Sequence, residues 1–126
     1  MYPFPPKEEI SFLIGETLSQ IRINPFSIDL VFERNSVLTA EFAIEHRPAI
    51  GEQTRYDLQK MVHAPPITFH HCIGRKIVDL AVADTRLQLK FDGGDVVWVY
   101  SHLGQHESGQ IARGRPDDKD AAYFVF

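Results

Sequence analysis

The chain has 126 residues, 44% of them hydrophobic and 24% charged, with 17 acidic residues against 13 Lys and Arg. That length and balance fit one domain with its own apolar core, and exclude disordered and collagen-like classes. The single cysteine, Cys72, excludes a disulfide-stapled secreted module, and the net charge of -4 disfavours a nucleic-acid partner.

The N-terminal run Pro3-Phe4-Pro5-Pro6-Lys7-Glu8-Glu9 has no basic stretch leading into a long apolar one, so no signal peptide is expected. No run approaches the ~20 apolar residues of a spanning helix. The expectation is a soluble, cytoplasmic protein with no membrane partner.

Sliding the sequence by 59 positions lays one half on the other without a gap. Ile14-Gly15 falls on Ile73-Gly74, and Leu30, Phe32 and Val37 fall on Leu89, Phe91 and Val96. Conservative matches lie between them, such as Ile21 with Leu80, Ile23 with Val82 and Glu33 with Asp92. An internal repeat is therefore expected over about 6–42 and 65–101 within a single domain 1–126.

Each copy opens with a Pro-led segment, Pro6 to Ile14 and Pro66 to Ile73, suited to one or two helical turns and closed by Gly15 or Gly74. A first strand follows at Thr17 to Ile23 and Lys76 to Val82. A second shows period two: Ile28, Leu30 and Phe32 in one copy, Leu87, Leu89 and Phe91 in the other. Tight turns come next, at Glu33-Arg34-Asn35-Ser36 and Asp92-Gly93-Gly94-Asp95, where Asn and Gly tolerate positive φ. Third strands run from Val37 to Ile44 and from Val96 to Ser101.

Outside the repeat, Arg55-Tyr56-Asp57-Leu58-Gln59 reads as a short strand, and Ser108 to Arg113 with Ala121 to Phe126 as a closing hairpin. The fold class expected is α+β, mainly antiparallel β: two units of a short helix and about three strands, forming one sheet or a partly closed barrel, with a C-terminal hairpin.

The doubled pattern Gly15…Ile28-x-Leu30-x-Phe32-Glu33 and Gly74…Leu87-x-Leu89-x-Phe91-Asp92-Gly93 resembles a group of small bacterial domains of unknown function. In these a helix-Gly-hairpin unit occurs twice, followed by a Glu-Ser-Trp-like strand and a final apolar strand. Glu107-Ser108-Gly109 and Ala122-Tyr123-Phe124-Val125-Phe126 hold those places, with Gly109 where the family has Trp and Trp98 as a candidate for the missing aromatic burial. Some relatives lie among immunity proteins of toxin systems, so the resemblance implies a binding role and carries over no catalytic residue.

Metal-ligating residue types gather at His70-His71-Cys72, with His63 upstream, and at His102 and His106. Adjacent residues on a helix point about 100° apart and cannot easily clasp one ion. In the repeat, His71 and Cys72 fall on Phe12 and Leu13, which are packing positions. His70, Cys72, His102 and His106 are therefore weak metal candidates only, and no cofactor is expected. A nucleophile would need Cys72 with a histidine and Asp84, with no activating motif around it. Asp92-Gly93-Gly94-Asp95 lacks the other ligands of a calcium loop.

The expected function is a non-catalytic protein-binding module of immunity type, covering a partner by shape and charge or by strand addition. The alternative is a ligand- or metal-binding protein, or an enzyme, with a pocket between the copies where His70, His102 or His106 converge. The apolar tail Tyr123-Phe124-Val125-Phe126 is a candidate pairing strand for a homodimer.

Overall fold

A computed structural model describes residues 3–102, 107–114, 119 and 121–126, with the backbone alone at 62 and 63. Proline presets the first turn. Pro6, at φ -56°, caps helix α1 (Lys7–Ile10), and Glu8 and Glu9 sit in its first turn, where the helix dipole favours acids. The chain tightens into a 3-10 turn at Ser11–Leu13 and leaves through Gly15 at φ 90°. The second Pro-led segment departs from expectation, forming only a 3-10 turn at Phe69–Cys72, which ends before Gly74 at φ 87°. Thr68, just before that turn, gives its backbone N–H to the Tyr56 hydroxyl at 3.1 Å, which anchors the start of the turn to the strand at Thr54–Asp57.

Among the described residues ten strands follow the alternation: β1 (Leu18–Ile23), β2 (Ile28–Phe32), β3 (Val37–Ala40), β4 (Ala43–Arg47), β5 (Thr54–Asp57), β6 (Ile77–Ala83), β7 (Arg86–Phe91), β8 (Val96–Tyr100), β9 (Gly109–Arg113) and β10 (Ala122–Val125). All pair antiparallel, in two five-stranded sheets of order β1-β2-β3-β9-β10 and β5-β4-β8-β7-β6. The mainly antiparallel fold and the closing hairpin β9–β10 are thus as the sequence implies.

The connectivity differs from the expected single sheet or partly closed barrel. Val37 to Ile44 is not one strand: it breaks at Glu41 and Phe42, where the chain changes sheets. The Glu41 N–H still donates to Ser108 O at 2.8 Å in the first sheet, while Phe42 O accepts from the Leu58 N–H at 3.0 Å beside the second. Hairpin β4–β5 therefore completes the sheet of β6, β7 and β8. In return β9–β10 completes the sheet of β1, β2 and β3.

The two sheets join at one corner, where backbone bonds come in pairs 59 residues apart. Gly15 N–H donates to Ile77 O at 2.7 Å, and Gly74 N–H to Leu18 O at 2.8 Å. Leu18 N–H donates to Arg75 O, and Ile77 N–H to Glu16 O, both at 3.0 Å. Thr17 and Lys76 form the bridge between them. Bulges at Leu18/Gln20 and Ile77/Asp79 then turn each strand out of this short ribbon, so pairing between sheets stops there.

Inward-facing residues of both sheets form one apolar core. Ile28, Leu30, Phe32, Leu38 and Ile111 meet Ile44, Leu87, Leu89, Phe91, Val97 and Val99 in it. Phe126 also belongs there, its ring stacked on Phe4 at 4.3 Å. Its ring covers Gly109: a Cβ at that glycine would lie 2.5 Å from Phe126 Cζ. Phe126 therefore supplies the aromatic burial beside Gly109, while Trp98, also buried, lies beneath Arg47 and Arg86 on the outer face of the other sheet. No helix among the described residues is long and apolar enough to cross a membrane.

Candidate functional site

Two features stand out: a buried polar cluster and a charged face of the second sheet. The cluster draws on distant parts of the chain. β4 carries His46 inward opposite Val97, the turn before β8 supplies Asp95, and the 3-10 turn ends on Cys72. His46 and Cys72 are fully buried, and the Asp95 side chain is 17% exposed. His46 Nε2 lies 2.8 Å from Asp95 Oδ2, and Nδ1 lies 2.8 Å from Thr68 Oγ1. The Thr68 hydroxyl is in turn 3.2 Å from that of Tyr56, which donates to Pro66 O at 3.1 Å. Cys72 Sγ donates to Asp95 Oδ2 at 3.7 Å, and the Ala49 N–H donates to Oδ1 at 3.1 Å.

The electrostatics follow from burial. Desolvation, reinforced by the charge and hydrogen bond of Asp95 and only partly opposed by Arg75, pushes the Cys72 thiol up to about 12. Burial also pushes Asp95 up, but the hydrogen bonds from His46 and Ala49 and the charge interaction with His46 outweigh it, and the carboxyl titrates below its ordinary range. Cysteine, histidine and aspartate meet here, yet not in the order of a catalytic triad. Asp95 takes both partners, and among the described residues no imidazole is hydrogen-bonded to the sulfur to accept its proton.

Of the four residues singled out from sequence, only Cys72 enters the cluster. His70 is exposed, its Nδ1 3.2 Å from Ile67 O and its ring 4.4 Å from that of His71. His102 stacks obliquely on Phe42 at 5.1 Å and lines a cavity of about 400 Å³ with Glu41, Gln59, Glu107 and Ser108. His70 does not line that cavity. His106 lies outside the described residues. The carboxylate beside Cys72 is Asp95, while Asp84 sits in the exposed turn between β6 and β7. No spacing rule joins His46 and Asp95 to Cys72, from which they stand 26 and 23 residues away.

The outer face of the second sheet carries aromatic rings covered by arginines. Trp98 is held between Arg47 and Arg86, whose guanidinium carbons lie 5.3 and 5.8 Å from its ring centre, and its Nε1 donates to Gln88 at 3.0 Å. Arg55 covers Tyr100 at 4.7 Å and pairs with Glu45 at 2.8 Å. Arg47, Arg86 and Lys90 are exposed and have no carboxylate within ion-pair distance among the described residues.

Comparison with protein-family models, curated proteins and solved structures gives no match for this chain.

Proposed function

We propose that the chain is a non-catalytic protein-binding module that docks the outer face of its second sheet onto an acidic surface of another protein. The observation that carries this reading is the covering of Trp98 by Arg47 and Arg86 on the outer face of the second sheet. Trp, Tyr and Arg are the residue types that concentrate binding energy at interfaces, and planar guanidiniums over rings are laid out before a partner arrives. Arg47, Arg86 and Lys90 give the face a local cationic field within a chain of net charge -4, and that field selects acidic partners. An immunity-type role, in which the module covers an acidic toxin surface, is the form of this proposal that the family resemblance favours. The same proposal includes descent of the residues at about 6–42 and 65–101 from one duplicated unit, supported by the matched hydrogen bonds at the corner.

A second copy of the chain is the less favoured occupant. β10 is an outer strand with Tyr123 exposed, but Phe124 stacks on Phe12 and Phe126 on Phe4, which leaves little of the apolar tail for pairing.

The test compares wild type with the double variant Arg47→Glu/Arg86→Glu as baits in a lysate of the native host, followed by titration of the purified captured protein. The expected result is a partner with an acidic surface whose affinity falls with salt and drops about tenfold or more in the variant, which is about 1.4 kcal/mol. Equal affinity for both baits, or capture of the chain itself alone, contradicts the proposal.

A further inference from the structure

We propose that His46, Cys72 and Asp95 form a binding site for one transition-metal ion of intermediate softness, of which Zn²⁺ is the type. The ligands are His46 Nε2, Cys72 Sγ as thiolate, and an oxygen of Asp95. This goes beyond the docking face and is independent of it.

Geometry is the first support. The three donor atoms all lie within 4.8 Å of one another, with Cys72 Sγ 3.7 Å and His46 Nε2 2.8 Å from Asp95 Oδ2. Zinc holds sulfur at about 2.3 Å and nitrogen or oxygen at about 2.0 Å, so tetrahedral ligands stand roughly 3.3–3.6 Å apart. The Cys72–Asp95 separation already suits this, whereas His46 and Asp95 must part by about half an ångström and His46 and Cys72, within 4.8 Å of each other, must close by up to about 1.2 Å. Mixed nitrogen, sulfur and oxygen donors suit zinc or cobalt and not calcium or magnesium, which demand oxygen ligands.

The surroundings are those of a supported metal site. A ligating imidazole ordinarily donates its second N–H to a fixed acceptor, and a ligating carboxylate is itself hydrogen-bonded. Thr68, held by Tyr56, stands 2.8 Å from His46 Nδ1, and the Ala49 N–H holds the free oxygen of Asp95. The partial exposure of Asp95 leaves one side open for entry and for a water as fourth ligand.

The strongest support is that the fold does without these polar groups in its other half. Counting 59 residues back, Cys72 corresponds to Leu13 and Asp95 to Ser36. His46 pairs with Val97 as Ile111 pairs with Leu38, and Tyr56 pairs with Ile44 as Phe126 pairs with Gly109. Leu13, Ile111 and Phe126 therefore close that half with hydrocarbon. Burying an imidazole, a thiol and a carboxylate where Leu, Ile and Ser suffice costs desolvation, and a bound cation offsets it. On binding, the thiol proton leaves to solvent, the Nε2 proton of His46 is given up as Nδ1 carries the ring's N–H toward Thr68, and the ion takes the place of both hydrogen bonds to Asp95.

The experiment uses the full chain, stripped with a chelator under reducing conditions and titrated with Zn²⁺, and with Co²⁺ for spectroscopy. Expected are one tightly held ion per chain, a higher melting temperature with Zn²⁺, and a thiolate-to-cobalt charge-transfer band. Cys72→Ala should fold by circular dichroism, lose the band and bind about tenfold or more weakly, as should His46→Gln. A His70→Ala/His71→Ala variant should behave as wild type. Binding of less than one ion per chain, a cobalt complex without the thiolate band, or binding abolished by the His70→Ala/His71→Ala change overturns the proposal.

Discussion

Leu13 and Cys72 close the same turn 59 residues apart: each ends a 3-10 turn, is followed by an isoleucine and a glycine of positive φ, and is fully buried. One sits in hydrocarbon and the other beside a carboxylate. The same local backbone thus accepts either an apolar or a polar neighbour at this place.

This relationship makes a stability test. His46→Ile alone takes from Asp95 its hydrogen bond to His46 and should cost about 1–3 kcal/mol in metal-free buffer. Adding Asp95→Ser places the residue types of Ile111 and Ser36 at these two positions and should recover most of that loss, to within about 1 kcal/mol of wild type. Urea denaturation of the two single variants and the double variant measures the coupling, and additive losses would contradict the account.

Glycines at close approaches and at turns should respond differently. A Cβ at Gly109 would lie 2.1 Å from Thr39 O and 2.5 Å from Phe126 Cζ, so Gly109→Ala must push the chain end out of the core. The expected loss is about 3 kcal/mol or more. At Gly74 nothing lies within 4 Å, and Gly74→Ala meets only the strain of φ 87°, about 1–2 kcal/mol. Thermal melts that rank Gly74→Ala as the more damaging would contradict this reading.

Trp98 is the sole tryptophan, so emission reports the docking face directly. With Arg47 and Arg86 covering the ring, acrylamide should quench it weakly. Arg47→Ala/Arg86→Ala should raise the quenching constant severalfold without changing the melting temperature by more than a few degrees. Unchanged quenching would mean that the arginines do not cover the ring.

Lys7 ties α1 to β6 through Asp79, at 3.2 Å. The Lys7 hydrogen bond, helped by the Leu80 N–H, holds the Asp79 carboxyl below its ordinary 3.8. A lowered folded value means that the pair contributes fully above the unfolded value and is lost as pH falls through the lower, folded one. Side-chain NMR titration should place the midpoint below 3.8 and show it rising in Lys7→Ala or in high salt, because both groups are exposed. A midpoint unmoved by Lys7→Ala would contradict the assignment.

Much of the fold was legible because local rules governed it. Alternation exposed the inward faces of β2 and β7, and the turns at Asn35 and Gly94 do adopt positive φ. The crossing between β3 and β4 was not legible. Val37 to Ile44 keeps a strand-like composition throughout, and only the distant partners Ser108 and Leu58 divide it. Cys72 read as a buried position from its match with Leu13, and it is buried. Its partners were not legible, because His46 and Asp95 reach it through sheet pairing that no sequence spacing records.

The most direct test of the docking claim is Trp98 emission during titration of the purified captured partner. The account expects a saturable change at one partner per chain that weakens with salt and shifts about tenfold or more toward higher concentration in Arg47→Glu/Arg86→Glu. Tight binding with unaltered Trp98 emission and equal affinity for the charge-reversed variant would contradict it.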